Sequence, residues 1–228
     1  MRFYLLLPEG GRFGTKWAYG DILDPHDTRD TGPRCPACGN TVGSLVWVPP
    51  HRIKLSSAKP EKWGDFLWGA FSSVMVSERF RRIYEKEGLR GITHWWPPAE
   101  LVRMGTKKTG DLVPKPPTYY LMRINWDGAA MDDSASGLVV KYPEKRECSY
   151  CKQSGRILLK RKGIVLEAGS WEGDDMFHAR GAGGILVSER FKEVAQTHKL
   201  KNVLLTRADK YAYDLHRPGG WYVRDAEE

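Results

Sequence analysis

The sequence predicts an α+β fold made of two duplicated half-domains, each with short strands and one helix, joined through four cysteines. Three observations carry this. All four cysteines fall in two Cys-x-x-Cys pairs, Cys35/Cys38 and Cys148/Cys151. The pentapeptide Val76-Ser77-Glu78-Arg79-Phe80 returns as Val187-Ser188-Glu189-Arg190-Phe191. Short β-rich runs alternate with Gly, Pro and Asp punctuation along most of the chain.

Residues 2–7 form the first expected strand, and the Gly-, Asp- and Pro-rich stretch 8–34 reads as loop. After the first cysteine pair, 43–48 reads as a strand stopped by Pro49-Pro50. Lys62 to Gly69 is aromatic and core-facing, and 74–76 is a short strand. A helix begins at Ser77: the serine is a good N-cap, Glu78 suits the positive end of the helix dipole, and Phe80, Ile83 and Tyr84 share one face. Gly88 suits the left-handed residue that ends it. Residues 92–96 read as a strand closed by Pro97-Pro98, 105–118 as an exposed connection, and 119–124 as a strand. A polar loop over 127–137 precedes a strand at 138–142. Residues 156–159 and 164–166 are expected to pair as a hairpin around Lys162-Gly163. The chain closes on a short strand within 219–224.

The repeat sets the domain division. Val76 and Val187 lie 187 − 76 = 111 residues apart, and Cys35 and Cys148 lie 148 − 35 = 113 apart. Carried forward, Ile83 lands on Val194, Leu89 on Leu200 and Ile92 on Val203. Two halves follow, 1–116 and 117–228, each carrying one cysteine pair and forming together one compact unit.

A Cys-x-x-Cys turn aims two thiolates at one point, and two such turns meeting in space close a tetrahedral all-cysteine site for structural zinc. Cys35, Cys38, Cys148 and Cys151 are the candidate ligands. A redox dithiol and unmetallated thiols are the alternatives; neither pair follows a strand at a helix N-terminus, as a thioredoxin-like site requires. A closed four-thiolate site has no open position for water and does not imply catalysis.

The formal charge of +8 admits an acidic partner or nucleic acid, although the basic residues are spread out. The six histidines form no metal-binding spacing. Asp132-Asp133 and Asp174-Asp175 suit loop chemistry, and Gly181 to Gly184 precedes a strand, which excludes a dinucleotide loop. Nine Trp and ten Tyr point to packing or binding. In His94-Trp95-Trp96 strand alternation turns Trp95 and Trp96 to opposite faces; core packing of both is the favoured reading, and one left exposed to anchor an interface is the alternative. Met1 to Leu7 is stopped by Pro8, so no secretory signal opens the chain, and no apolar run approaches a membrane span. A cytoplasmic protein without membrane contact is expected.

The order of these motifs, an opening strand, Cys35-Pro36-Ala37-Cys38-Gly39, Trp63-Gly64-Asp65-Phe66, the Ser77 helix, a second cysteine pair and the Ser188 helix, resembles the myxobacterial double-CXXCG paralogous family over about residues 1–210. The segment from Asp174 to Phe191 also looks like a half-domain found in other bacterial immunity proteins. Two departures stand out: Lys152 replaces the glycine after the second pair, and Lys199 stands where the first helix has Gly88. The resemblance implies a non-enzymatic immunity protein that binds and neutralises a cognate contact-delivered toxin protein by occlusion. Trp95, Trp96, Trp171, Asp174 and Asp175 are the candidate partner contacts. The competing reading is a zinc-ribbon protein that binds nucleic acid.

Overall fold

The hydroxyl of Ser77 accepts a hydrogen bond from the Phe80 amide at 3.1 Å, and that of Ser188 accepts one from the Phe191 amide at 3.1 Å. Each cap opens a nine-residue helix, α1 (Glu78–Lys86) and α2 (Glu189–Thr197). Gly88 at φ 61° and Lys199 at φ 48° take the left-handed conformation just past the two helix ends. Lysine therefore fills the role that glycine fills at lower cost. The computed structural model describes residues 1–10, 16–23, 32–43, 48–70, 73–105, 115–142, 148–153, 156–217 and 222–224.

Among these residues the protein is a mixed α+β fold, mostly strands with two α-helices. The first half of the chain supplies β1 (Phe3–Leu7), β2 (Gly20–Ile22), β3 (Arg52–Leu55), β4 (Phe66–Ala70), β5 (Ser73–Ser77), then β6 (Ile92–Pro98) and β7 (Glu100–Met104) after α1. The second supplies β8 (Tyr119–Ile124), β9 (Val139–Lys141), β10 (Ile157–Arg161), β11 (Met176–Phe177) and β12 (Ile185–Ser188), then β13 (Leu204–Arg207), β14 (Tyr211–Asp214) and β15 (Tyr222–Arg224) after α2.

Two four-stranded antiparallel sheets organise the molecule, in the orders β4-β5-β8-β6 and β11-β12-β1-β13. Their central registers match. Tyr120 faces Val76 and Leu121 faces Met75; Tyr4 faces Val187 and Leu5 faces Leu186. The central strand of each sheet comes from the far side of residue 116: β1 completes the sheet made from 176–207, and β8 the sheet made from 66–98. Neither sheet is confined to one half of the sequence.

Both faces of each sheet are covered, so the strands bury side chains of either parity. Val76, Met122, Tyr4 and Val187 point into a shared central core with Phe80 and Phe191 of the helices. The Phe80 and Phe191 rings lie 6.2 Å apart, and Phe66 packs on both. On the outer faces, Met75 and Leu121 pack against Ile53 and Leu55 of the small sheet β2-β3-β7, and Leu5 and Leu186 against Ile164, Ala208 and Tyr211.

Matched polar cross-links tie the two sheets. Buried Asp65 accepts from Ser77 Oγ at 2.9 Å, from Arg79 at 2.5 Å and from the Lys201 amide at 2.8 Å. Buried Asp175 accepts from Ser188 Oγ at 2.6 Å, from Arg190 at 3.0 Å and from the Arg90 amide at 3.0 Å. Each carboxylate thus organises its own helix start and anchors the segment after the other helix.

The hairpin expected around Lys162-Gly163 does not form. Instead β10 pairs with β9 and β14, the Ile164 amide is taken at 2.7 Å by the Ala208 carbonyl in the turn between β13 and β14, and Leu166 bridges to Met131. The segment 8–34 also contains β2, and the 127–137 loop is largely interior, with Ala129, Ala130 and Met131 buried. Most of the 43–48 strand, most of the 105–118 connection and the start of the 219–224 segment lie outside the described residues. No helix among those described is long and apolar enough to cross a membrane.

Candidate metal centre

The two Cys-x-x-Cys turns are built alike. In the first, the Cys35 amide donates to the Asn40 carbonyl and the Gly39 amide to the Cys35 carbonyl, both at 2.8 Å. In the second, the Lys152 amide donates to the Cys148 carbonyl at 2.9 Å. The residue after each pair is left-handed, Gly39 at φ 73° and Lys152 at φ 53°. The lysine that departs from the glycine pattern therefore keeps the turn. Its ammonium is held by the Met131 carbonyl at 2.8 Å and by the Glu167 carboxylate, contacts that help hold a backbone conformation costly for a side chain with a Cβ.

These turns bring Cys35, Cys38, Cys148 and Cys151 together, with all four sulfurs within 4.8 Å of one another. Cys35 Sγ lies 3.8 Å from Cys148 Sγ, and Cys38 Sγ lies 3.8 Å from Cys151 Sγ. Four sulfurs held tetrahedrally at about 2.3 Å from one ion lie about 3.8 Å apart, so the observed spacing fits a metal and is far too long for a disulfide. Cys35 and Cys151 are buried, Cys148 is half-buried and Cys38 is exposed.

Without a cation the thiols do not ionise alike. The Cys151 amide, with help from Cys38, stabilises the Cys148 thiolate and brings its pKa down to about 7. The Asn40 amide lowers Cys38, but partial loss of water around the sulfur and the other three thiols outweigh it and hold it up at about 12. The thiolate of Cys148 is the one favoured over that of Cys38, and binding of a soft divalent cation would displace protons from the site.

A polar and aromatic collar surrounds the cluster. Buried Trp126 and Val42 pack on Cys35 and Cys151, and Tyr150, inside the second turn, lies 6.3 Å from the Trp126 ring. Tyr150 donates to Asp127 at 2.6 Å, which raises its pKa, and the Arg180 guanidinium sits 4.6 Å over its ring. None of these five was singled out from sequence; an aromatic inside the second pair was the available signal.

None of the five candidate partner contacts belongs to this cluster. Asp175 is 3 % and Asp174 7 % exposed. Asp174 accepts from Asn125 at 2.6 Å, and its carbonyl accepts from the Trp171 indole at 2.9 Å; half-buried Trp171 also meets Phe3 edge-on. Trp95 and Trp96 do turn to opposite faces, the first against Tyr84 in the central core, the second toward the core under β3. Both are half-buried. No protein-family model matches the chain, and no curated protein matches it.

Proposed function

We propose that this chain is a binding protein of the immunity class, which neutralises a cognate contact-delivered toxin by covering it. The observation that carries the reading is the four-thiol centre, which offers four ligands and, among the described residues, no fifth group, joining residues 35–38 to 148–151 as a staple. Zinc is the proposed occupant, because four thiolates at tetrahedral spacing suit it and leave no position for activated water. The matched sheets, caps and aspartate cross-links further support descent of the two halves from one duplicated unit. The motif order resembles the double-CXXCG immunity family, and the buried Asp174 and Asp175 are committed to internal bonds.

The test is co-expression with the product of the adjacent reading frame. A stable complex on a sizing column together with protection of the host supports occlusion; protection without a complex points to chemistry instead. The nucleic-acid reading rests on the +8 charge. It would replace this one if no complex forms and oligonucleotide binds with a steep salt slope.

A further inference from the structure

The matched halves provide an internal control: positions that serve the fold recur in both, and positions that differ are free to serve something else. On α1 and α2, Ser77/Ser188, Glu78/Glu189, Arg79/Arg190 and Phe80/Phe191 recur. Three exposed positions do not, one of them Glu85, which corresponds to Gln196. Arg82 corresponds to Glu193 and Lys86 to Thr197, so at these two positions α1 is basic where α2 is acidic or neutral.

These two residues line a cleft of about 530 Å³ between α1, residues 117–118 and the end of α2, with Arg79, Arg82, Lys86 and His198 on its walls and Ile83 and Pro117 supplying apolar surface. Arg79 is engaged by Asp65 and His198 by Glu87. Arg82 meets Glu78 one turn back in an exposed pair, which is weak and readily exchanged. Lys86 has no ion-pair partner among the described residues.

We infer that this cleft is the docking site for an acidic polypeptide segment, with Arg82 and Lys86 receiving its carboxylates and Ile83 and Pro117 its aliphatic side chains. Glu78 in the lining and Glu85 beside Lys86 disfavour a phosphodiester backbone, which carries a charge at every step, whereas a peptide can place apolar residues between its charges. The identity of the partner as a toxin rests on the occlusion reading above; the preference of the cleft for carboxylates does not, and is measured without any toxin.

The experiment titrates the full-length protein into a fluorescein-labelled dodecapeptide of Glu, Asp and Leu and, separately, into a single-stranded dodecanucleotide, by anisotropy at two salt concentrations. Amide shifts of residues 78–86 locate the binding. R82E/K86E is compared with K210E/R217E, which makes the same change of charge on exposed positions flanking β14, and circular dichroism checks that both fold. Saturable peptide binding that weakens roughly tenfold or more in R82E/K86E, weakens with salt and is unchanged in the control supports the site. Absence of saturable peptide binding, equal loss in both variants, or tighter binding of the oligonucleotide through the same residues overturns it.

Discussion

Arg79 of α1 donates to the backbone carbonyl of His198 at the end of α2 while its other nitrogen holds Asp65. Arg190 of α2 answers by donating to the carbonyls of Glu87 and Gly88 while holding Asp175. Each helix therefore supplies the cation that satisfies the other's last carbonyls, where the dipole is negative. Replacing Asp65 by Ala strands Ser77 Oγ, the Lys201 amide and Arg79 together. Urea unfolding should show a loss of about 3 kcal/mol, with Asp175→Ala close to it. A loss under about 1 kcal/mol at either position would mean that water replaces these bonds at little cost.

Phe80 and Phe191 are both fully buried and in ring contact. Truncation of either to Ala should cost about 3–5 kcal/mol. Because the two rings share one core, the double variant should lose less than the sum, with a coupling of at least about 0.5 kcal/mol. Strict additivity would indicate two separate cores.

Metal content is measured directly. Protein purified without chelator should carry close to one zinc per chain, and Cys38→Ser should lower both the ratio and the unfolding midpoint, since metal binding and folding are coupled. Chelation should destabilise the wild type and leave Cys38→Ser little changed. A ratio near zero in fully folded protein would remove the zinc proposal.

His178 is buried beside the Gly184 carbonyl, to which its Nδ1 lies at 2.7 Å, and burial lowers its pKa below the usual 6.5 against the opposing pull of that carbonyl. The unfolded chain therefore takes up a proton that the folded chain refuses. The stability from the neutral ring is fully present above pH 6.5 and is lost as pH falls toward the folded-state value, at up to about 1.4 kcal/mol per pH unit. Urea midpoints of wild type and His178→Gln at pH 7.5 and 5.5 should show the smaller drop in the variant. Equal drops would assign the acid sensitivity elsewhere.

What could be read from the sequence was what local chemistry specifies. Ser77 and Ser188 mark helix starts because a hydroxyl there satisfies a free amide, and the Phe80-Ile83-Tyr84 face follows from helical period alone. Two Cys-x-x-Cys turns were recognisable because sulfur chemistry restricts them. The exchange of β1 and β8 was not legible: Phe3-Tyr4-Leu5-Leu6 and Tyr119-Tyr120-Leu121-Met122 look alike, so pattern cannot say which partner either strand takes. Asp65 and Asp175 were equally opaque, since each is fixed by groups far away in the chain. The left-handed Lys152 and Lys199 ran against residue preference, and in Lys152 the side chain itself is tied down by Met131 and Glu167.

The placing of β1 has a consequence for how the molecule is made. During synthesis β1 emerges early, yet its two neighbours lie at 185–188 and 204–207. Until then Tyr4, Leu5 and Leu6 have no sheet to enter, and the earlier half lacks its own central strand until β8 appears. Folding unit by unit behind the ribosome is closed to such a chain; its order of assembly is dictated by contacts distant in sequence, which slows folding and exposes strand edges meanwhile. Among the described strands, β1 is made before both of its neighbours and must wait for them.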